Sequence, residues 1–295
     1  MIASAPGKVI LFGEHAVVYG RHAVVTAINR RCYADVKKSS EIRIRSSIAT
    51  TELDFDKHPY VSFAIKRFMS FSPISGVEIK IRSKIPVSSG LGSSAAVTVS
   101  VLKALDAEFE AGLTNEDIYE IARKVELDVQ GRASGTDPFI STYGGSWLIP
   151  ERKKIGVDNL RILIIDSQQS SVTSEMVSKV AKLRERYPEI IEDIFDAIDS
   201  ISLRSIDSLE KKDFSKISDM VFINQCLLRS ISISNERIDE LISRLSRDGI
   251  TAKITGAGGG GCLIGFGSDE AIASVLDNYP AFAVEPELEG VKIEH

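Results

Sequence analysis

Five glycines in six positions, Gly256-Ala257-Gly258-Gly259-Gly260-Gly261, sit between two short β-rich runs, Ala252-Lys253-Ile254 and Cys262-Leu263-Ile264. Ordering such a run is costly in chain entropy. Flexible linkers are flanked by polar residues, not by strands. The run fits Gly-x-Gly-x-x-Gly, yet a strand follows it where a dinucleotide-binding fold requires a helix. A backbone lying against a ligand fits the run best, with a tight connection as the plain alternative.

A second loop, Pro86-Val87-Ser88-Ser89-Gly90-Leu91-Gly92-Ser93-Ser94-Ala95-Ala96, reads as an anion cradle. Glycines let the backbone approach a ligand closely, and the following helix offers unpaired N–H groups at its positive end. The plain alternative is a Ser/Gly turn that caps a helix. Gly90, Gly92 and Ala95 also fit Gly-x-Gly-x-x-Ala, but the helix after the loop runs into another helix rather than a strand, which argues against a Rossmann unit. No Gly-x-x-x-x-Gly-Lys-Ser/Thr motif is present.

Periodicity predicts strands at Val9–Phe12, Ala23–Ile28, Cys32–Val36, Ile42–Arg45 and Val77–Ile81, and a helix over 59–71. The segment 93–109 alternates like a strand in part but is too long for one, and a helix is expected. A second helix should start at Thr114 as N-cap, with Asp117 in its first turn. A strand at Leu160–Ile165 is followed by a long helical region, Thr173–Arg247, with breaks near Pro188 and at Ser230–Ser234. A charged, Gly-containing stretch near 150–158 divides the chain into expected domains 1–155 and 156–295, both α+β.

Glu126, ending a helix, and Asp137, in a polar loop before Pro138, flank Gln130–Thr136. Alone, the first suits a solvated surface and the second a cap. Beside two phosphate-type loops, they supply hard oxygen ligands for Mg²⁺ and a carboxylate for an attacking hydroxyl. Lys8, between Gly7 and Gly13, suits either a plain surface position on an early strand or holding an aspartate ionised.

The formal net charge of -5 argues against a nucleic-acid binder. Cys32, Cys226 and Cys262 are too scattered for a disulfide framework or a zinc site. No apolar run reaches the roughly 20 residues of a membrane span, and the start shows no signal peptide. A cytoplasmic protein that does not engage membranes is expected.

Ala5-Pro6-Gly7-Lys8, the 86–96 loop and Thr255–Gly261 occur in the order of the three motifs of the GHMP kinases, and the resemblance spans nearly the whole chain. The run Gly7–Gly20 is most similar to the branch that phosphorylates mevalonate. Ala133-Ser134-Gly135-Thr136-Asp137 matches the family's Ser-Gly-x-Asp, with Glu126 eleven positions earlier. The resemblance implies an amino-terminal domain like ribosomal protein S5 domain 2 and a ferredoxin-like carboxy-terminal domain. It also implies transfer of phosphate from ATP with Mg²⁺ to the 5-hydroxyl of mevalonate, with phosphomevalonate or homoserine as the alternative acceptor.

By the same resemblance Asp137 is the catalytic carboxylate, and Lys8 lowers its pKa and stabilises the moving phosphoryl group. Pro86, Ser88, Ser89, Gly90, Leu91, Gly92, Ser93, Ser94, Ala95 and Ala96 form the ATP site, with Ser94 and Glu126 on Mg²⁺. Glu14, His15, Tyr143, Gly256, Ala257 and Gly258 line the acceptor pocket. The segment 166–173 departs from relatives that are basic there, since it has no Arg or Lys. A homodimer is expected for an enzyme of this size.

Overall fold

The computed structural model describes residues 1–86, 90–131 and 134–294. The first strand, β1 (Ile2–Phe12), is almost wholly buried and carries a register shift between Pro6 and Gly7. That irregularity lets a proline sit in a paired strand. A single 3-10 turn, Ala16–Tyr19, leads to β2 (Ala23–Lys38), one long strand where the sequence pattern gave two. β2 pairs with β1 along one edge. On its other edge its first half pairs with β6 (Ser146–Ile149) and its second half with β5 (Val77–Ser83). β3 (Ile42–Arg45), β4 (Thr50–Thr51) and β7 (Lys153–Ile155) complete an eight-stranded sheet among the described residues, together with the last strand of the chain.

Helices α1 (Pro59–Phe68), α2 (Ser93–Phe109), α3 (Asn115–Gln130) and α4 (Thr136–Tyr143) accompany this sheet. α2 is buried nearly all round, from Ala96 and Val99 to Val101, Leu102 and Leu105. A helix surrounded by core needs no polar face, so its apolar residues imitate strand alternation in the sequence. α3 starts with the expected capping box between Thr114 and Asp117.

The second sheet holds β8 (Ile162–Asp166), β9 (Thr251–Ile254), β10 (Cys262–Phe266) and β11 (Ala281–Val284), antiparallel in the order β11-β8-β10-β9. Ile162 and Ile164 join one hydrophobic cluster while Leu163 and Ile165 join another, so both faces are covered. The long helical region is four helices: α5 (Thr173–Arg186), α6 (Pro188–Lys211), α7 (Phe214–Ser230) and α8 (Glu236–Arg247). The break between α6 and α7 was not expected. Lys212 there takes a left-handed φ of 53°, and the Asp213 side chain accepts from the Lys216 N–H as an N-cap.

α9 (Asp269–Asn278) follows β10, and β12 (Lys292–Glu294) pairs antiparallel with β1 in the first sheet. We propose the domain boundary at 155/156 on this pattern, with β12 as a strand returned to the first sheet. None of the described helices is long and apolar enough to cross a membrane.

Candidate active site

Helices α2 and α4 both begin with a glycine N-cap in the left-handed region, at φ 70° for Gly92 and 71° for Gly135. Neither has a side-chain cap, in contrast to the capping box of α3. Their first-turn residues Ser93, Ser94, Thr136 and Asp137 line one cleft of about 1050 Å³. Two helix starts whose N-cap glycines offer no capping side chain, facing one cavity, give a focus of N–H donors and positive potential. Gly92 is required on two counts. Its φ is positive, and a Cβ there would stand 2.8 Å from Lys8 Cγ.

Lys8 is 4% exposed on β1, and its Nζ lies 3.1 Å from Asp137 Oδ1. Asp137 occupies the first turn of α4, not a loop. The sequence pattern places Asp137 in a loop before Pro138, but a proline in the first helical turn is tolerated because the N–H it lacks would have no intrahelical partner anyway. Glu126 sits on α3 one turn before its end, and its Oε2 accepts from the Gly135 N–H at 3.3 Å. Burial first, and then the negative charge of Asp137, push its carboxyl up to about 7.

The opposite wall comes from the second glycine motif. The Ile10 N–H donates to Thr255 Oγ1 (3.1 Å), and the Thr255 hydroxyl donates back to the Ile10 carbonyl (3.0 Å). His15 Nε2–H donates to the Ala257 carbonyl at 2.9 Å. Burial holds the His15 ring below the usual imidazole range, so this is its neutral form. Gly256 and Ala257 line the cleft beside Gly90. The remaining glycines of the run are not among the residues that line the cleft. A Cβ on Gly258 would stand 2.5 Å from the Ile233 carbonyl oxygen, and one on Gly259 would stand 2.6 Å from Met176 Sδ. These two glycines let protein approach protein closely, as the tight-connection alternative would have it.

Of the expected ATP-site residues, Gly90, Leu91, Gly92, Ser93 and Ser94 line the cleft. Ala95 and Ala96 are buried in the core face of α2, and Pro86 is not in the lining. Ser88 and Ser89 lie outside the described residues. Among the expected acceptor residues, His15 lines the cleft but Glu14, Tyr143 and Gly258 do not. Glu14 is fully buried and paired with Lys253. The Tyr143 hydroxyl donates to Glu116, and its ring packs on Phe139 at 4.8 Å. The Tyr143 ring is engaged in an aromatic cluster with Tyr119 and Phe139.

Sequence reading missed the far end of the cleft, where Ser46, Ile48, His58 and Tyr60 gather. The Thr51 hydroxyl donates to the Glu52 carbonyl, so its oxygen accepts from His58 Nδ1–H at 2.8 Å. His58 Nε2 then accepts from Ser46 Oγ at 2.9 Å. A lone histidine before a proline carries no spacing signal, and only folding brings these hydroxyls to it.

Two helix starts, a lysine–aspartate pair and a second carboxylate around one cleft suit a phosphotransferase. The comparisons carry this to a family. The "GHMP kinases N terminal domain" model matches residues 59–145, and the "GHMP kinases C terminal" model matches residues 205–285. The mevalonate kinase of Archaeoglobus fulgidus is 54% identical over 294 residues, covering 100% of both chains. That of Thermococcus gammatolerans is 34% identical, covering 100% of this chain and 98% of its own. Among solved structures, the Methanococcus jannaschii mevalonate kinase superposes with a TM-score of 0.84 at 31% identity, covering 100% of this chain and 98% of that one. L. major mevalonate kinase in complex with R-mevalonate reaches 0.83 at 23% identity, covering 97% of this chain and 96% of that one, a likeness of fold. The chain belongs to the GHMP kinases, with that family's two-domain α+β fold.

Proposed function

We propose that the protein transfers the γ-phosphoryl group of ATP to the 5-hydroxyl of mevalonate, giving 5-phosphomevalonate for isoprenoid biosynthesis. The observation that carries this is the Lys8–Asp137 pair at 3.1 Å, set where the starts of α2 and α4 face one cleft. The full-length likeness to mevalonate kinases favours mevalonate over phosphomevalonate or homoserine as acceptor.

In this reading the N–H groups at the start of α2, with Ser93, Gly90 and Gly92, receive the phosphates of ATP. Asp137 accepts or orients the proton of the attacking hydroxyl, and Lys8 holds Asp137 in place while its charge faces the phosphoryl group in transfer. His15, Gly256 and Ala257 bound the acceptor. Ser94 and Glu126 form a hard-oxygen set suited to Mg²⁺, and the raised pKa of Glu126 fits a carboxylate that awaits a cation. Mg²⁺ held there would neutralise charge on the phosphate oxygens. A homodimer in the cytoplasm is the proposed state, and light scattering on the purified protein tests the assembly.

Product identification after mixing protein, MgATP and R-mevalonate tests the reaction. 5-Phosphomevalonate is the expected product. ADP release with phosphomevalonate but not with mevalonate would overturn the acceptor. Asp137→Asn should keep the fold and lose at least about 10²–10³ in turnover, the usual cost of one preorganised electrostatic group.

A further inference from the structure

Lys253 lies on β9 between Ala252 and Ile254, and is fully buried. Its neighbours turn their side chains into the core of the second lobe, so strand alternation aims Lys253 the other way, toward β1. There its ammonium stands 5.7 Å from the centroid of the Phe12 ring and donates to the Ile254 carbonyl at 2.8 Å and to Glu14 Oε1. Glu14 is fully buried as well, and its Oε2 has no hydrogen-bond partner among the described residues. A buried ion pair of this kind is a poor source of stability, because desolvation offsets the Coulomb gain. A carboxylate oxygen left without a partner makes it poorer still.

We propose that Lys253 and Glu14 are positioning residues for phosphoryl transfer: the pair fixes the register of the second glycine motif on the strand and turn that carry Lys8 and His15. Residues 253, 255 and 257 of one lobe grip residues 14, 10 and 15 of the other, by the ion pair, by the Thr255–Ile10 hydrogen bonds and by the His15–Ala257 bond. The hydrogen bonds tie backbone or neutral groups. The ion pair alone adds charge, and that charge is ordered. Positive Lys253 meets negative Glu14, on which the positive charge of Lys8 also acts, and Lys8 in turn meets negative Asp137. Glu14 thus acts on the Lys8 ammonium through charge while lying outside the residues that line the cleft. The pair also braces a strained turn, since His15 next to Glu14 takes a φ of 61° that few non-glycine residues adopt.

The inference rests on the kinase reading, and the experiment separates the two. Glu14→Gln, Lys253→Met and the double variant are compared with wild type for melting temperature, kcat, and KM for ATP and mevalonate. Each single variant should lower the melting temperature, because one buried charge is left without its partner. The double variant should recover it and still turn over about 10²-fold more slowly, with both KM values within about twofold of wild type. A double variant that recovers both melting temperature and kcat would reduce the pair to a structural contact and overturn the proposal. Glu14→Gln, nearly isosteric, covers the case in which the double variant does not fold. A raised KM for mevalonate at unchanged kcat would make Glu14 a substrate contact and refute positioning. Failure of wild type to phosphorylate mevalonate would instead count against the acceptor reading.

Discussion

Glu126 offers a test in which stability and activity should move in opposite directions. Burial and the charge of Asp137 raise its carboxyl from 4.5 to about 7. For an acid, a folded-state pKa above the unfolded one means that the folded protein holds the proton more tightly. The resulting stability is fully present below pH 4.5 and is lost as pH rises through about 7. The gap corresponds to about 3 kcal/mol, at 1.36 kcal/mol for each pH unit. Glu126→Gln keeps an oxygen to accept the Gly135 N–H and has no charge to bury. Without nucleotide or divalent ion, the variant should exceed wild type by less than about 1 kcal/mol at pH 5 and by up to about 3 kcal/mol at pH 8.5. At roughly 2–4 °C per kcal/mol, that is a rise of several degrees in melting temperature. Scanning both proteins by differential scanning fluorimetry from pH 5 to 8.5 isolates Glu126, because every other titrating group is common to both. The same variant should lose about 10²-fold or more in kinase turnover. A melting-temperature difference that does not change with pH would refute the assignment of the strain to an ionised Glu126.

Other expectations follow from single contacts. Gly92→Ala forces a Cβ to within 2.8 Å of Lys8 Cγ at a φ of 70°, so turnover should drop while ATP still binds, as checked by single-turnover kinetics and nucleotide titration. Tyr143→Phe removes only the hydrogen bond to Glu116 and should leave the KM for mevalonate within about twofold, whereas a tenfold rise would return Tyr143 to the acceptor pocket. His22 places Nδ1 at 2.8 Å from Asp199 and Nε2 at 2.7 Å from Glu151, which two carboxylates accept together only from imidazolium. Partial burial lowers its pKa, but the two carboxylates outweigh it and raise it above 6.5, so this link between the lobes is intact below pH 6.5 and lost as pH climbs through the raised value. His22→Gln should therefore flatten the fall in melting temperature between pH 6 and 8, by an amount of order 1 kcal/mol or less, as for other solvent-exposed pairs.

Local chemistry made much of this protein legible from its residues alone. The Gly90–Ser94 loop before a long helix, the carboxylates Glu126 and Asp137, and Lys8 between glycines announce phosphate, metal and charge because each motif is contiguous and its physics acts over a few residues. The contiguous resemblance from Gly7 to Gly20 narrows the acceptor for the same reason. Errors arose wherever a residue's environment is built by distant chain. Asp137 looked like a loop residue because the place of Pro138 in a first helical turn is invisible in one dimension, whereas α2 is the helix expected despite its partial alternation. The fate of Gly258 and Gly259 depends on Ile233 and Met176, which fold against them from α5 and the turn after α7. Glu14 and Lys253 are separated by 239 positions and meet only when the second sheet docks on β1. The sequence by itself therefore determined which reactive groups exist and the family whose chemistry they serve. Tertiary structure decided which of them reach the cleft and which are buried as its supports, because burial and charge pairing are properties of the assembled surfaces.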